Sequence, residues 1–471
     1  GQQVPPDVDA LTGAGRDVTL RGADIAELAA KMRGRLLLAG DDGYDQARRI
    51  LNPSFDKRPA LIARVTGTAD IRAAVDFARE HGGLLTAVKC GGHSASGKST
   101  CDGGLMIDLS PFQAVRVDPA ARRAHVAGGT LLGLLDHESM SYGLVTTMGT
   151  VSHTGVGGLT TGGGFGRVGR HFGLAIDNLV SVDVVTADGE LVHADENRNP
   201  DLFWGVRGGG GNFGVVTSFE FRLHPMNRQV LAGRIMFPLS RARDVLDLYA
   251  EYGPRAPDPL QMDFGMFTPP GGEEGAIGFS LCWSGDHAAA DRALAPIRDL
   301  GSPAMDQVQA MDYVALQRSG DIDDPRARAS YLKSGFVTEI TPALIDAIVD
   351  GFEGDPARAT AVFAQQSGGA IGRVAPDATA FSQRDAQINL LGSVDWPFGT
   401  DGSEHIAWMR SFWTGVEPHT QGFYINDTGL ERTETAIIEN FRENRARLVQ
   451  VKNRWDPGNL FRLNTNIEPT V

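Results

Sequence analysis

Two glycine-rich runs constrain this chain more than any other feature of its sequence. Residues 91–97 read GGHSASG at the end of an apolar run, and residues 155–166 read GVGGLTTGGGFG. Because glycine has no Cβ, such runs let backbone N–H groups close around a bulky anionic group. The two runs therefore predict a site for the pyrophosphate of a dinucleotide.

The spacing of these glycines differs from the nicotinamide fingerprint. That fingerprint is one strand–GxGxxG–helix unit with an acidic residue about 20 positions further on. Here the glycines form two separate clusters, His93 lies inside the first, and Asp177 and Asn178 follow the second. The pattern therefore indicates another kind of dinucleotide site.

Composition limits the partners of the chain. With 471 residues, 42% of them hydrophobic, it can bury a large core and is expected to form two domains. A net charge of −14 leaves no basic excess for nucleic acid or for an anionic membrane surface. No apolar stretch approaches the ~20 residues of a membrane span. We expect a small-molecule ligand, no nucleic acid and no membrane partner.

The cysteines are too few for a disulfide framework and lack the spacing of a cysteine-based metal site. Only Cys90, Cys101 and Cys282 occur, without CxxC or Cys/His spacing. Cys90 and Cys101 flank the His93 loop and could pair, but a core of this size does not need a single bridge. We expect free thiols.

Periodicity predicts a mixture of helices and short strands. A helix over 69–81, with Thr68 as its N-cap, should end at Gly82 and Gly83. A strand over 84–88 then leads into the His93 loop. Further strands are predicted over 104–109, 114–118, 123–127, 182–186, 278–283 and 387–394. This is an α+β pattern and not a regular βαβ array.

Two further motifs complete a recognisable set. Residues 201–217 read DLFWGVRGGGGNFGVVT, and residues 456–467 read DPGNLFRLNTNI. With the two glycine runs, in this order, they resemble the berberine-bridge-enzyme-like FAD-linked oxidases of the vanillyl-alcohol-oxidase (PCMH-type) flavoprotein superfamily. The likeness is to the bacterial branch that includes 6-hydroxy-D-nicotine oxidases. It extends from about residue 55 to the C-terminus.

The resemblance implies an α+β, two-domain PCMH-type fold. The FAD domain would be discontinuous, and the α+β substrate domain would be an antiparallel sheet covered by helices. We expect a leader over 1–55 packed on the FAD domain, the FAD domain over 56–228, the substrate domain over 229–421 and a returning segment over 422–471. In that last segment a helix with Ile437, Phe441, Leu448 and Val449 inward should stop at residues 456–457.

The resemblance also implies a reaction. A hydride would pass from an alcohol, hemiacetal or amine C–H of a small molecule to covalently bound FAD, which O2 would reoxidise with release of H2O2. Two alternatives stay open: a flavin dehydrogenase of the same fold with another acceptor, and a non-catalytic flavin or small-ligand binding protein. The sequence leaves open a monomer or a homodimer, and a cytoplasmic or an exported bacterial protein.

In family members the histidine of the GGH loop carries the flavin through an 8α-histidyl bond, which here implies His93. Many relatives add a cysteinyl bond from a position that aligns with Val151, so a single link is expected. The remaining cofactor-binding residues that the resemblance implies are Lys89, Cys90, Gly91, Gly92, Ser94, Gly97, Thr150, Thr154, Gly155, Gly157, Gly158, Gly163, Gly164, Gly166, Asp177, Asn178, Gly214, Val216, Tyr424, Asn464 and Asn466.

The family's catalytic residue is often a tyrosine in a Tyr-x-Asn strand motif, matched here by Tyr424 and Asn426. Tyr424 is the candidate general base, provided that a neighbouring charge or hydrogen bond lowers its pKa from ~10. Gln387 and Asn389 alternate on one face of a strand and could line the pocket. His153 is a further candidate, either at the flavin edge or behind it.

Overall fold

The computed structural model describes residues 4–271, 274–429 and 432–471. The first part, up to residue 108, contains two small sheets. Antiparallel β1 pairs with β2, and a four-stranded mixed sheet has the order β3-β4-β6-β5. The elements are β1 Val8–Leu11, β2 Asp17–Leu20, α1 Gly22–Lys31, β3 Arg35–Leu37, α2 Tyr44–Ala47, β4 Leu61–Arg64, α3 Thr68–Glu80, β5 Thr86–Lys89 and β6 Leu105–Asp108.

Helix α3 corrects one detail of the sequence analysis. Thr68 is its first residue and Gly67 occupies the N-cap position, without a side-chain cap. Instead, the Asp70 carboxylate accepts hydrogen bonds from the backbone N–H groups of Arg33, Gly34 and Thr66. The helix ends as expected, since Gly82 and Gly83 have φ values of 81° and 71° that suit glycine.

The second part, residues 115–225, is built on a five-stranded antiparallel sheet with the order β11-β10-β12-β8-β7; β9 and β13 form a separate pair. The elements are β7 Val115–Asp118, β8 Arg123–Ala127, α4 Leu132–Met140, β9 Leu144–Val145, α5 Val156–Gly162, α6 Gly169–Phe172, β10 Leu179–Val185, β11 Leu191–Ala194, α7 Pro200–Val206, β12 Val215–Arg222 and β13 His224–Pro225.

The third part is dominated by a large antiparallel sheet with the order β17-β14-β16-β15-β20-β21-β19, and β18 also pairs with β14. One face carries α8, α9, α11 and α12 over a continuous apolar core. The elements are β14 Gln229–Pro238, α8 Ala242–Tyr252, β15 Leu260–Thr268, β16 Ala276–Trp283, α9 Ala290–Arg298, β17 Met305–Asp306, β18 Gln309–Asp312, α10 Tyr313–Arg318, β19 Arg328–Val337, α11 Pro342–Gly351, β20 Ala359–Gln366, β21 Ile388–Pro397 and α12 Ser403–Val416.

The last segment returns to the first two parts. The predicted single helix is interrupted: α13 Glu434–Asn440 and α14 Arg445–Trp455 are separated by a short 3₁₀ turn. Phe441 and Leu448 pack in the core of the five-stranded sheet, whereas Leu460 and Phe461 join the core of the four-stranded sheet. The fold is the α+β, PCMH-type architecture with a large antiparallel substrate-domain sheet that the sequence predicted.

Residues 423–426 depart from the predicted strand. Tyr424 precedes a 3₁₀ turn over Ile425–Asp427, so the Tyr-x-Asn motif lies on a turn. In the described residues, no helix is long and apolar enough to cross a membrane.

Candidate active site

The two glycine runs meet in space. The loop after β5 contacts the turn that precedes α5, and a Cβ on Gly91 or Gly155 would overlap the backbone of the other residue. Only glycine at both positions permits this approach. A cavity of about 400 Å³ lies beside the contact and extends to the 3₁₀ turn at Ile425–Asp427 and to the C-terminal segment.

This cavity collects much of the predicted site from five separate parts of the chain. The sequence-predicted residues in its wall are Cys90, Gly91, Gly92, His93, Ser94, Thr150, Val151, Thr154, Gly155, Gly157, Gly158, Gly214, Val216, Tyr424 and Asn464.

Other predicted residues lie outside the wall. These are Lys89, Gly97, His153, Gly163, Gly164, Gly166, Asp177, Asn178, Gln387, Asn389 and Asn466. Asp177 instead forms a paired contact with Arg384, at 2.8 and 2.9 Å. The Asn178 amide donates to the carbonyls of Phe172 and Leu174. Both residues therefore hold the turn after α6 and do not contact the cavity.

Three of these residues support the wall from behind. The ammonium of Lys89 donates to the Ala47 carbonyl at 2.6 Å, away from the cavity. Gly97 packs against Phe55, where a side chain would collide with the ring. Gly164 donates its N–H to the Tyr424 hydroxyl and so fixes a residue that does line the cavity.

The wall suits a flavin dinucleotide. Lys98 lines it, and Lys57 donates to the neighbouring Gly97 carbonyl, so two cations lie near the first glycine run. Gly158 faces open space. Ser99 Oγ and Asn464 Oδ1 are buried in this wall with no partner among the described residues. A pyrophosphate and ribityl hydroxyls would supply the missing charges and hydrogen bonds.

His93 is held in a fixed orientation. Its Nε2 lies 2.7 Å from Nδ1 of His153, and its Nδ1 lies 3.2 Å from Oγ1 of Thr154. Burial, followed by the neighbouring His153, lowers the pKa of His93 to about 4. The ring is therefore uncharged at neutral pH, the state in which a nitrogen lone pair is available.

His153 is itself fixed by a loop of the large-sheet part. The Ile322 N–H donates to His153 Nε2 at 3.0 Å, and the Asp321 carboxylate accepts from both the N–H and the hydroxyl of Ser152. Since Nε2 of His153 accepts, its Nδ1 carries the proton and donates to Nε2 of His93. A chain of hydrogen bonds thus connects the loop after α10 to His93.

Tyr424 does not have the lowered pKa that the sequence argument required. Burial, reinforced by Asp427, raises the pKa of its phenol well above the ordinary value. Its oxygen accepts hydrogen bonds from the Gly164 N–H and the Asn426 amide, both at 2.8 Å. The phenol is therefore protonated at neutral pH, and its own hydrogen is free for a third partner.

Asp427, which the sequence analysis did not select, lines the same cavity. The Asn389 amide donates to Asp427 Oδ2 at 2.9 Å and to Gln365 Oε1 at 2.8 Å. Burial raises the pKa of Asp427 to about 6. Asn389 therefore lies outside the cavity wall and orients Asp427 and Gln365, which form the surface that a ligand would contact. The position of Asp427, one residue after Tyr-x-Asn, was the available sequence signal.

Cys90, Cys101 and Cys282 are free, as predicted. Cys90 lines the cavity, but burial raises the pKa of its thiol to about 11, so little thiolate exists at neutral pH. Val151, at the position where relatives place a second flavin-linking cysteine, has no nucleophilic atom.

Comparison with known proteins shows which families the chain matches. Residues 59–195 match a model described as FAD binding domain, and residues 434–468 match one described as Berberine and berberine like. The chain is 30% identical over 459 residues to (R)-6-hydroxynicotine oxidase of Paenarthrobacter nicotinovorans, covering 93% of this chain and 97% of that protein.

Two solved structures show the same fold. One is 6-hydroxy-D-nicotine oxidase from Arthrobacter nicotinovorans, with a TM-score of 0.84, 29% identity, and coverage of 93% of this chain and 98% of that one. The other is glucooligosaccharide oxidase from Acremonium strictum, described with a 6-S-cysteinyl, 8α-N1-histidyl FAD. Its TM-score is 0.84 at 25% identity, with coverage of 95% of this chain and 100% of that one.

Proposed function

The chain belongs to the berberine bridge enzyme-like family of FAD-linked oxidoreductases, and we propose that it oxidises an alcohol, hemiacetal or amine C–H of a small organic molecule. One observation carries the proposal: a single cavity contains an uncharged, oriented histidine, a phenol and a carboxylate. Bound FAD would accept the hydride and pass the electron pair to O2, which gives H2O2.

His93 is proposed as the single covalent attachment point of FAD. Support comes from its place in the cavity wall and from its low pKa, which leaves the imidazole uncharged. A second link is not expected, because Val151 has no thiol and the Cys90 thiol is protonated at neutral pH. Glucooligosaccharide oxidase, with its two links, differs in this respect.

Asp427 is proposed as the proton acceptor, with Tyr424 as the group that orients the reacting oxygen or nitrogen. A base near neutrality is most effective when its pKa is close to the working pH, and the pKa of Asp427 is about 6. The protonated Tyr424 phenol can instead donate a hydrogen bond to the substrate. As the hydride leaves the substrate carbon, the O–H or N–H proton would pass to the Asp427 carboxylate.

Acid precipitation tests the attachment. The flavin should stay with the pellet, and the tryptic peptide from Cys90 to Lys98 should carry one flavin. His93→Ala should release the flavin, whereas His137→Ala, an exposed histidine on α4, should not. Flavin in the supernatant of the native protein, or flavin on a cysteine, would contradict the proposal.

Anaerobic mixing tests the reaction. A panel of sugars, aryl alcohols, hydroxynicotine-type amines and polyketides should include a compound that bleaches the flavin. Admission of air should then restore the colour with one H2O2 per flavin. Slow recovery in air with fast recovery in quinone or dye would identify a dehydrogenase, and failure of every compound to bleach the flavin would favour a binding protein.

A further inference from the structure

A second cavity of about 320 Å³ adjoins the cofactor cavity. Thr150, Val151, Phe165 and Gln365 belong to the walls of both. A molecule in the second cavity would therefore contact the same residues as a molecule in the first. This shared wall makes the second cavity the natural place for the body of a substrate.

The large sheet forms one side of this cavity, because side chains alternate across a strand. On β15, Met262 and Met266 face the helices and the apolar core, while Asp263 and Phe267 face the cavity. The neighbouring strands contribute in the same way through Arg234, Ser280 and Phe363. The wall is therefore partly aromatic and partly charged.

Arg167 is the most informative residue of this wall. It is only 9% exposed, and it comes from the segment after the second glycine run. Its Nε donates to Gln317 Oε1 at 3.1 Å and its Nη1 to Ser280 Oγ at 3.4 Å, and both acceptors are neutral. Within residues 4–271, 274–429 and 432–471, no carboxylate forms an ion pair with Arg167. The same holds for Arg234.

The nearby carboxyl groups do not neutralise Arg167 by contact. Asp263 Oδ1 already accepts hydrogen bonds from the Gln366 N–H and the Gln261 amide, both at 2.8 Å. Burial raises the pKa of Asp263, and the charge of Arg167 opposes that rise. Asp136 approaches Arg167 only through Gln317, and burial raises the pKa of Asp136 to about 7. Among the described residues, the Arg167 guanidinium is therefore in ion-pair contact with no carboxylate, although Asp263 lies in the same wall.

An unpaired buried charge is costly, and a guanidinium fork matches a carboxylate in two parallel hydrogen bonds. We propose that the substrate is a carboxylic acid with a ring or other apolar body, whose carboxylate binds Arg167 with Arg234 in support. The body would lie against Phe165, Phe267 and Phe363. This assignment rests on the proposed oxidase function, since it names the substrate class of the same site.

Ligand binding tests the assignment without turnover. Benzoate, phenylacetate and 3-phenylpropionate, each with its uncharged amide, are titrated into the flavin-loaded protein, followed by flavin difference spectra and calorimetry. At least one acid should bind more tightly than its amide. Arg167→Gln should weaken that acid about 10- to 100-fold, the usual loss of a charge-assisted hydrogen-bond pair, and leave the amide unchanged.

Three variants complete the design. Arg116→Gln removes an exposed arginine of β7 and should change nothing. Arg167→Lys keeps the positive charge but loses the forked guanidinium. Its affinity for the acid should lie between those of the native protein and Arg167→Gln. If Arg167→Gln does not fold, Arg234→Gln, at an exposed position, should still weaken the acid and not the amide.

The outcomes separate this inference from the proposed function. If no acid binds better than its amide, or if Arg167→Gln weakens both equally, the inference is overturned. If acids bind with the expected selectivity by calorimetry but no compound reduces the flavin, the anion site stands and the oxidase function fails.

Discussion

The two adjoining cavities are made from different parts of the polypeptide. The wall of the cofactor cavity includes a close contact between two backbone segments, where Gly91 packs directly on Gly155. The second cavity is bounded by side chains of the large sheet, among them Asp263, and by Arg167 from the segment after the second glycine run. The shape of the cofactor cavity is therefore sensitive to an added Cβ at this contact, whereas ligand binding in the second cavity is sensitive to a changed charge. We infer that backbone shape defines the cofactor, while a few charges define the substrate.

The strongest test of this comparison lies at the edge of the cofactor cavity, where a side chain is proposed to carry the chemistry. Asp427→Asn should slow anaerobic flavin reduction by about 10²–10⁴-fold, the usual contribution of a general base. In the native enzyme the rate should rise with pH through about 6, because the carboxylate must be deprotonated to accept the proton. That rise should vanish in Asp427→Asn.

Tyr424→Phe provides the matched comparison. It removes the proposed orienting hydroxyl but leaves the carboxylate, so the reduction should be slower while the rise near pH 6 remains. Asp247→Asn, an exposed carboxylate of α8, should behave as the native protein. If Tyr424→Phe abolishes the pH dependence and Asp427→Asn retains it, the base is Tyr424, as the sequence alone suggested.

The sequence predicted residues of the cofactor cavity better than those of the second cavity, for a physical reason. His93 lies within the motif that defines its role, so its chemistry is contiguous in sequence. Arg167 gains its significance from burial against Gln317 and Ser280, which are 150 and 113 positions away. Asp427, in a 3₁₀ turn, accepts a hydrogen bond from Asn389 of β21, which is 38 positions away. Asp177 is the reverse case. The motif predicted that it binds the cofactor, but its carboxylate accepts hydrogen bonds from Arg384 and lies outside the wall of the cofactor cavity.

A pair of glycine variants tests the backbone character of the cofactor cavity. In Gly155→Ala the new Cβ meets the Gly91 backbone and the Cys90 sulfur, so we expect a loss of about 1–3 kcal/mol in unfolding free energy. In Gly158→Ala the new Cβ meets no atom of the described residues within 4 Å. Position 158 also lies in α5, and alanine is favoured over glycine in a helix. The apoprotein should be at least as stable as the native one.

The informative result is FAD binding by Gly158→Ala. If FAD covers this open position, the methyl group should weaken its binding even though the apoprotein is stable. Thermal unfolding of the apoprotein gives its stability, and fluorescence titration with FAD gives its affinity for the cofactor. Equal FAD affinity in the native protein and Gly158→Ala would show that the cofactor does not approach α5.

The smallest expected effect concerns the chain of hydrogen bonds that connects the loop after α10 to His93 through His153. Removing one neutral hydrogen bond of about 1 kcal/mol should lower the rate of covalent flavin incorporation by roughly five- to tenfold in His153→Ala, because the His93 ring is no longer held at 2.7 Å. Apoprotein mixed with FAD, quenched with acid at intervals, gives this rate directly. His137→Ala serves as the control. Incorporation at the native rate would mean that Thr154 and the surrounding glycines suffice to orient His93, and that the loop after α10 has no part in cofactor attachment.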